Sequence, residues 1–239
     1  MVEPTMKILI LGNSITNHGP LPSIGWHNDW GMAASSADKD FVHVLKDSLL
    51  KYKSTYNLDY RERNIAYWER DFDYDFSKDA LLRFKPDILI IRLGENVDEN
   101  YAKSNNYELA LTALIAKFKK KDTHVVITGN FWPSAYEDGI QRKVAVDNGY
   151  AFVDISDLAV DAKNQAQGQF ENGGVAAHPS DYGMNNIATK IFKRIIAIVS
   201  YEIGMCRMVF EGTLSGRRIV RSLMDHMLEI YDKMNITLS

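Results

Sequence analysis

Short apolar runs that alternate with helical patterns are the feature that most constrains the fold of this chain. Three of these runs are followed within a few residues by a glycine, at Gly12, Gly94 and Gly129. Continuous apolar runs of this length are typical of strands that are buried on both faces of a parallel sheet. Two weaker candidates bring the total to five. The predicted strands cover residues 6–11, 60–66, 87–93, 123–128 and 152–155.

Helical periodicity fills the segments between the strands. Helices are predicted over residues 40–52, with Asp40 as the N-cap, and over 80–84, 107–120, 137–148 and from 184 to about 198. Strands separated by helices predict an α/β fold, in which a parallel sheet lies between two helical layers. In such sheets the working site lies beyond the C-terminal ends of the strands. The loops at that edge are therefore where functional residues are expected.

Composition excludes several classes of protein. The chain has 239 residues, and its 28 basic against 31 acidic residues leave no basic field for binding nucleic acid. The single cysteine, Cys206, excludes an intramolecular disulfide framework or a cysteine-rich metal site. Neither histidines nor carboxylates show the spacing of metal ligands. No metal, cofactor or nucleic-acid partner is expected.

The ends of the chain carry few signals. No signal peptide and no apolar stretch long enough to span a membrane are visible, so the chain as it stands is expected to be cytoplasmic. A periplasmic or secreted origin stays open if residues 1–5 replace a trimmed leader. A shift in composition near Gly204 predicts a hydrolase-sized domain over residues 1–203 and a helical extension over 204–239. That extension is expected to pack on the same domain or on a partner subunit in a homo-oligomer.

Three polar residues follow predicted strands or precede a helix where chemistry could take place. Ser14 comes just after the first strand and is either a nucleophile or a helix N-cap. Asn96 follows the third strand and either stabilises an oxyanion or forms an Asx turn. His178 lies in a loop before a helix, where it could be a general base or an ordinary hydrogen-bonding histidine.

The order of these motifs resembles that of the SGNH, or GDSL-like, hydrolases. The resemblance spans about residues 7–200 and implies a flavodoxin-like, three-layer α/β/α sandwich around a central five-stranded parallel sheet. The motifs that carry it are Gly12-Asn13-Ser14-Ile15-Thr16, Gly94-Glu95-Asn96 and His178-Pro179-Ser180-Asp181-Tyr182-Gly183-Met184.

Carried over from the family, the resemblance makes Ser14 the nucleophile and His178 the general base. It implies an oxyanion hole that consists of the Ser14 backbone N–H, the Asn96 side chain and one further backbone N–H. A serine hydroxyl needs a base to become a strong nucleophile, and the oxyanion that follows needs preorganised donors.

Two positions depart from the family pattern. Val175 stands where the family usually has the aspartate that orients the histidine, so the site is either a Ser–His dyad with a backbone carbonyl on the ring or uses another acid, Asp181 or Glu69. The segment that usually supplies a glycine N–H after the second strand contains no glycine. The region of Ala66 and Glu69 corresponds to it, and a carboxylate there could orient the histidine or repel an oxyanion.

Tryptophans near these motifs could form the walls of a substrate site. Trp26 and Trp30 lie in a glycine-punctuated loop and Trp132 follows the fourth strand, where they either stack on a sugar or plug the top of the sheet. Asn13 and Glu95, inside the motifs, are further candidates for substrate contact.

The leading hypothesis is a serine esterase that removes acetyl or another small acyl group from a carbohydrate or similar polar substrate. A thioesterase or lysophospholipase on the same scaffold is an alternative, because the fold does not determine the acyl donor. A glycan-binding protein that has lost catalysis is the rival from outside the enzymes. A small-molecule or glycan ester is the expected partner.

Overall fold

A parallel sheet of five strands organises the chain. The computed structural model describes residues 5–52 and 57–210, with side chains described as far as residue 200. The strands pair in the order β2-β1-β3-β4-β5, and each pairing is parallel. They are β1 (Thr5–Gly12), β2 (Asn57–Asn64), β3 (Ile88–Arg92), β4 (His124–Thr128) and β5 (Ala151–Val153).

Helices connect consecutive strands, as parallel pairing requires. The α-helices are α1 (Phe41–Tyr52), α2 (Trp68–Asp71), α3 (Glu99–Ser104), α4 (Tyr107–Phe118), α5 (Ala135–Asp147), α6 (Gly173–Ala176) and α7 (Asp181–Phe210). Short 3₁₀ turns lie at Pro22–Ile24, Ala37–Lys39, Phe76–Lys78, Ala80–Arg83, Leu158–Val160 and Ala162–Asn164. No helix in these described ranges is long and apolar enough to cross a membrane.

The core lies on both faces of the sheet because successive strand residues point to opposite sides. On one face, Leu9 and Leu89 pack in a cluster with apolar residues of α4 and α5. The alternate residues Ile8 and Ile88 are equally buried, as are the apolar sides of α1 and of the first part of α7. The α/β/α sandwich that the sequence predicts is confirmed.

Strand register brings three loops together at the C-terminal edge of the sheet. Gly12, the last residue of β1, is level with Asn64 at the end of β2 and with Arg92 at the end of β3. The segments that follow these strands therefore start side by side. They contain Ser14, Glu69 and Asn96 respectively.

Most predicted elements lie within a few residues of the observed ones. Strand β2 begins at Asn57, three residues before its predicted start, and the last predicted helix continues to Phe210 instead of ending near residue 198. The sequence does not predict the short helices α2, α3 and α6. At the start of α1, Asp40 accepts a hydrogen bond from the His43 amide at 2.9 Å, so its predicted role as a cap is confirmed.

A boundary between two compact units lies near the end of the chain. By compactness the chain splits into one unit of Met1–Phe192, which holds the sheet, and another of Lys193–Ser239. Helix α7 continues through Gly204 to Phe210. The extension over 204–239 stays a prediction, because most of it lies outside the described residues.

Candidate active site

Ser14 sits on a tight turn directly after β1. The turn is closed by hydrogen bonds from the amides of Thr16 and Asn17 to the carbonyl of Asn13, at 2.9 and 3.1 Å. Gly12 is required there, because a Cβ at this position would lie 1.9 Å from Thr16 Oγ1 and 3.0 Å from the Arg92 carbonyl oxygen. The close approach presents the half-exposed Ser14 at the edge of the sheet.

His178 meets Ser14 from the other end of the sequence. Ser14 Oγ and His178 Nε2 lie 2.8 Å apart, a hydrogen-bonding distance between residues that are 164 positions apart. Two hydrogen bonds hold the backbone of His178. The His178 amide donates to the Val175 carbonyl at 3.0 Å, and the His178 carbonyl accepts from the Ala166 amide at 2.9 Å. This geometry lets the imidazole accept the serine proton.

The second ring nitrogen of His178 faces a backbone carbonyl. Its Nδ1 lies 2.7 Å from the carbonyl oxygen of Gly174, which as a pure acceptor requires the proton to be on Nδ1. Nε2 is then free to accept from Ser14. Of the arrangements that the sequence left open, the structure shows the Ser–His pair with a backbone carbonyl on the ring.

Neither carboxylate considered as the histidine partner occupies that position. Asp181, the first residue of α7, accepts hydrogen bonds from the Ser35 amide at 2.8 Å and from its hydroxyl at 2.6 Å. Glu69 accepts hydrogen bonds from the Gly94 amide and from the side chains of Asn13 and Asn96. Both expectations are corrected, because these carboxylates accept hydrogen bonds from other residues and the Gly174 carbonyl occupies the position next to His178 Nδ1. Val175 is buried beside Trp26 and contributes no acid.

Electrostatics favour the neutral form of His178. Burial lowers the pKa of His178 below its usual value, and the hydrogen bond to the Gly174 carbonyl and the charge of Glu95 offset this only in part. The lowered pKa therefore favours the unprotonated ring near neutral pH.

Candidate oxyanion donors lie in the segments that follow β1, β2 and β3. The Asn96 side chain is in an exposed loop after β3 and donates from Nδ2 to Glu69 Oε2 at 2.6 Å. The backbone N–H of Ser14 makes no hydrogen bond to any residue that the structure describes. Ala66, considered as a donor, is already committed, because its amide donates to Asn64 Oδ1 at 2.9 Å. Glu69, also considered, accepts hydrogen bonds here.

The side chains of Asn13 and Glu95 are buried and bonded to each other, so their expected role in substrate contact is corrected. Asn13 is fully buried and donates from Nδ2 to Glu95 Oε2 at 2.7 Å. The Glu95 side chain is 2% exposed, accepts from the Phe131 amide at 2.8 Å, and forms a 2.5 Å ion pair with the buried Arg92. Together these groups brace the loops beneath the site.

The tryptophans divide into one that borders His178 and two that shape the loop. Trp132 is half-buried, and its ring meets the His178 ring edge-to-face at a centroid distance of 5.1 Å. Trp26 is fully buried and donates from Nε1 to the His18 carbonyl at 2.8 Å, so its role as a sugar-stacking wall is corrected. Trp30 packs edge-to-face on Trp26 and is half-buried.

Among the residues described, no three histidine, cysteine or acidic side chains come together as a group that could hold a metal ion. The polar groups linked by hydrogen bonds at this edge of the sheet are the Ser14–His178 pair and, through Asn13 and Asn96, the network around Glu69. This arrangement has the parts of a nucleophile, a base and an adjacent set of N–H donors, which together suit acyl transfer.

Comparison with known proteins identifies the family. The family model of GDSL-like lipases and acylhydrolases matches residues 10–185. This chain belongs to the GDSL-like Lipase/Acylhydrolase family. The match spans Ser14, Asn96 and His178, and membership makes the protein a hydrolase of ester bonds. A search of curated protein sequences finds no match.

Solved structures share the fold of this GDSL-like hydrolase at low sequence identity. The Clostridium thermocellum family 3 carbohydrate esterase is 16% identical with a TM-score of 0.56, over 83% of this chain and 98% of its own. The psychrotrophic esterase EstA from Pseudoalteromonas sp. is 16% identical with a TM-score of 0.54, over 81% and 98%. The acetyl xylan esterase AlAXEase is 19% identical with a TM-score of 0.52, over 80% and 100%. Such similarity shows a shared fold.

Two contributors to the site were missed at the level of sequence. The first is Arg92, the charged residue that closes the otherwise apolar strand β3, whose position next to Glu95 was the available signal. The second is the identity of the carbonyl on the His178 ring. A backbone carbonyl there was one of the alternatives, but no sequence signal points to Gly174, because every residue has a carbonyl and only its direction matters.

Proposed function

We propose that the protein is a serine esterase that hydrolyses acetyl or other small acyl esters of a carbohydrate or similar polar substrate. The observation that carries the proposal is the 2.8 Å contact between Ser14 Oγ and His178 Nε2, with Nδ1 held by the Gly174 carbonyl. This is the arrangement that a neutral imidazole needs to act as a general base.

In the proposed reaction, Ser14 Oγ attacks the ester carbonyl carbon while its proton passes to His178 Nε2. The Ser14 backbone N–H and the Asn96 amide donate to the oxyanion, and each such donor contributes roughly 2.7–4 kcal/mol of transition-state stabilisation. Collapse of the intermediate breaks the bond to the alcohol oxygen, which takes the proton from His178. Water then hydrolyses the acyl-enzyme by the same steps, which releases the carboxylic acid and restores Ser14.

A polar, sugar-like alcohol is supported by the half-buried Trp132 beside His178, since an aromatic face next to the base can stack on a sugar ring. Two proteins of similar fold carry the names acetyl xylan esterase and carbohydrate esterase, which makes acetylated oligosaccharides the substrates to try first.

The test is hydrolysis of 4-nitrophenyl acetate, butyrate and octanoate and release of acetate from acetylated xylo-oligosaccharides, by wild type and Ser14→Ala. We expect acetate esters to be preferred and Ser14→Ala to lose at least about 10³-fold in kcat. Ser48→Ala is the matched control, since Ser48 only bonds the Val44 carbonyl within α1 and should leave kcat unchanged.

Other outcomes would contradict the proposal. Equal activity of wild type and Ser14→Ala, with Ser14 unlabelled by a fluorophosphonate, would exclude the serine mechanism. Faster turnover of an acyl thioester or a lysophospholipid than of any acetyl ester would replace the substrate class. Binding of oligosaccharide without turnover would favour a glycan-binding protein.

A further inference from the structure

Glu69 is a fully buried carboxyl group next to the candidate oxyanion donors. Its position corresponds to the segment where the family pattern usually has a glycine. None of the ion pairs in the described part of the chain involves Glu69, so no lysine or arginine neutralises it directly. Burying a carboxyl group without an ion pair costs free energy of folding unless hydrogen bonds compensate for the lost hydration.

Three N–H donors converge on this carboxyl group. Oε1 accepts from the Gly94 amide and from Asn13 Nδ2, the latter at 3.3 Å, while Oε2 accepts from Asn96 Nδ2 at 2.6 Å. Asn13 precedes the nucleophile, and Asn96 is the candidate side-chain donor for the oxyanion. One carboxyl group therefore ties the nucleophile turn to the loop that carries the oxyanion donor.

The geometry points to Glu69 as a positioning residue that fixes the rotamer of the Asn96 amide so that its second N–H faces the oxyanion. An amide NH₂ group has two hydrogens, and Glu69 takes one of them. Since the amide is planar, holding one N–H fixes the direction of the other. The inference rests on the proposed function, in which Asn96 stabilises the oxyanion.

The surroundings of Glu69 limit the repulsion that a carboxylate there would exert on an oxyanion. Glu95, the acidic neighbour, is paired with Arg92 at 2.5 Å. Burial, and then the charge of Glu95, raise the pKa of Glu69 to about 7, against the hydrogen bonds that favour its ionised form. The group is thus partly neutral under physiological conditions and can still accept from Asn96.

Glu69→Gln is the informative variant because it keeps the shape and removes half of the acceptor capacity. The carbonyl oxygen of glutamine can serve either the Gly94 and Asn13 side or the Asn96 side, and its NH₂ group must then oppose a donor on the other. Glu137→Gln is the matched control, since Glu137 is also buried and accepts from the Ser134 hydroxyl.

A double-mutant cycle tests whether Glu69 acts through Asn96. We expect Asn96→Ala to lower kcat by about 10²–10³-fold and Glu69→Gln by about 10–100-fold, with KM changed by less than about 3-fold. The double variant should lie within about 3-fold of Asn96→Ala alone, because a donor that is absent has no orientation to lose. Glu137→Gln should leave kcat unchanged. Losses that multiply in the double variant would overturn the inference.

A second measurement does not depend on turnover. With ¹⁵N-asparagine labelling, the side-chain NH₂ signal of Asn96 is identified by its disappearance in Asn96→Ala. In wild type the chemical shifts of its two protons should differ widely, and both protons should exchange slowly with water. In Glu69→Gln the two chemical shifts should become more similar, and exchange should be at least about 10-fold faster.

The two proposals can fail separately. If the wild type hydrolyses no ester but Glu69→Gln shifts the Asn96 NH₂ signal, the proposed function falls and the positioning by Glu69 stands. If Ser14-dependent hydrolysis is found and Glu69→Gln leaves that signal unchanged, the esterase stands and the positioning role falls.

Discussion

The Nδ1 atom of His178 lies 2.7 Å from the carbonyl oxygen of Gly174, only four residues earlier in the chain. The carbonyl fixes the tautomer and the direction of the ring, as a carboxylate would. It carries no full charge, so in the proposed reaction it stabilises the imidazolium less than an aspartate would. The short connection through α6 makes the orientation of the base a local property of this loop.

Asp181→Asn should leave kcat within about 3-fold of wild type, because Asp181 bonds Ser35 and not His178. The variant should lose about 1 kcal/mol of unfolding free energy through weaker bonds and a lost charge at the start of α7. Steady-state kinetics and urea unfolding measure the two effects. A loss of kcat near 10⁴-fold, typical of removing a triad aspartate, would restore Asp181 as the histidine partner.

The acid limb of the pH profile of kcat/KM should have its midpoint below about 6.5, the usual pKa of histidine. His178 must be neutral to accept the serine proton, and its pKa is lowered by burial, so activity rises as the pH passes that lowered value and then levels off. Initial rates in buffers of constant ionic strength check this. A limb centred above 6.5, or one that persists in the residual activity of His178→Ala, would contradict the assignment.

Alanine variants of Trp26 and Trp132 should differ, since the first should affect mainly stability and the second mainly catalysis. Trp26→Ala removes a fully buried ring and should cost roughly 3–5 kcal/mol of unfolding free energy, with kcat per folded molecule little changed. Trp132→Ala removes the ring against His178 and should lower kcat/KM by about 2–10-fold with a smaller effect on stability. Thermal unfolding and kinetics on the same preparations separate them. A KM effect at Trp26 with stability intact would return it to the substrate site.

Glu69 should make stability depend on pH. Its pKa of about 7 in the folded protein lies above the value of about 4.3 for an unfolded glutamate. Between these values the folded state holds a proton that the unfolded chain releases, so the contribution of Glu69 to the unfolding free energy falls as the pH rises from about 4.3 to 7. The unfolding free energy of wild type minus that of Glu69→Gln, measured by urea at several pH values, should therefore decrease over that interval. An increase in this value would mean that the pKa of Glu69 is lowered in the folded protein.

Much of this site could be predicted from short segments of sequence. The apolar runs before Gly12 and Gly94 mark buried strands, and parallel pairing places Ser14 and Asn96 at the same edge of the sheet. His178 could be placed in the loop before α7 by helical periodicity and by the resemblance. These inferences succeed because strand and helix periodicity are properties of ten or so neighbouring residues.

The remaining features depend on contacts that no short segment specifies. The sequence around Trp26 does not indicate whether its ring faces solvent or packs on Phe170, and only the folded chain shows that it is buried. Glu95 looks like a cleft residue until its pairing with Arg92 is seen.

The sequence by itself determined the alternation of strands and helices, the edge at which chemistry is placed, and the residue types available there. Only the tertiary structure decided which groups form the hydrogen bonds that orient these residues. The Gly174 carbonyl, rather than an acid, holds His178, and Glu69, 27 residues away from Asn96, holds its amide. The physical reason is that backbone periodicity is encoded locally, whereas hydrogen-bond partners are chosen by the directions of groups that only the folded chain brings within 3 Å of each other.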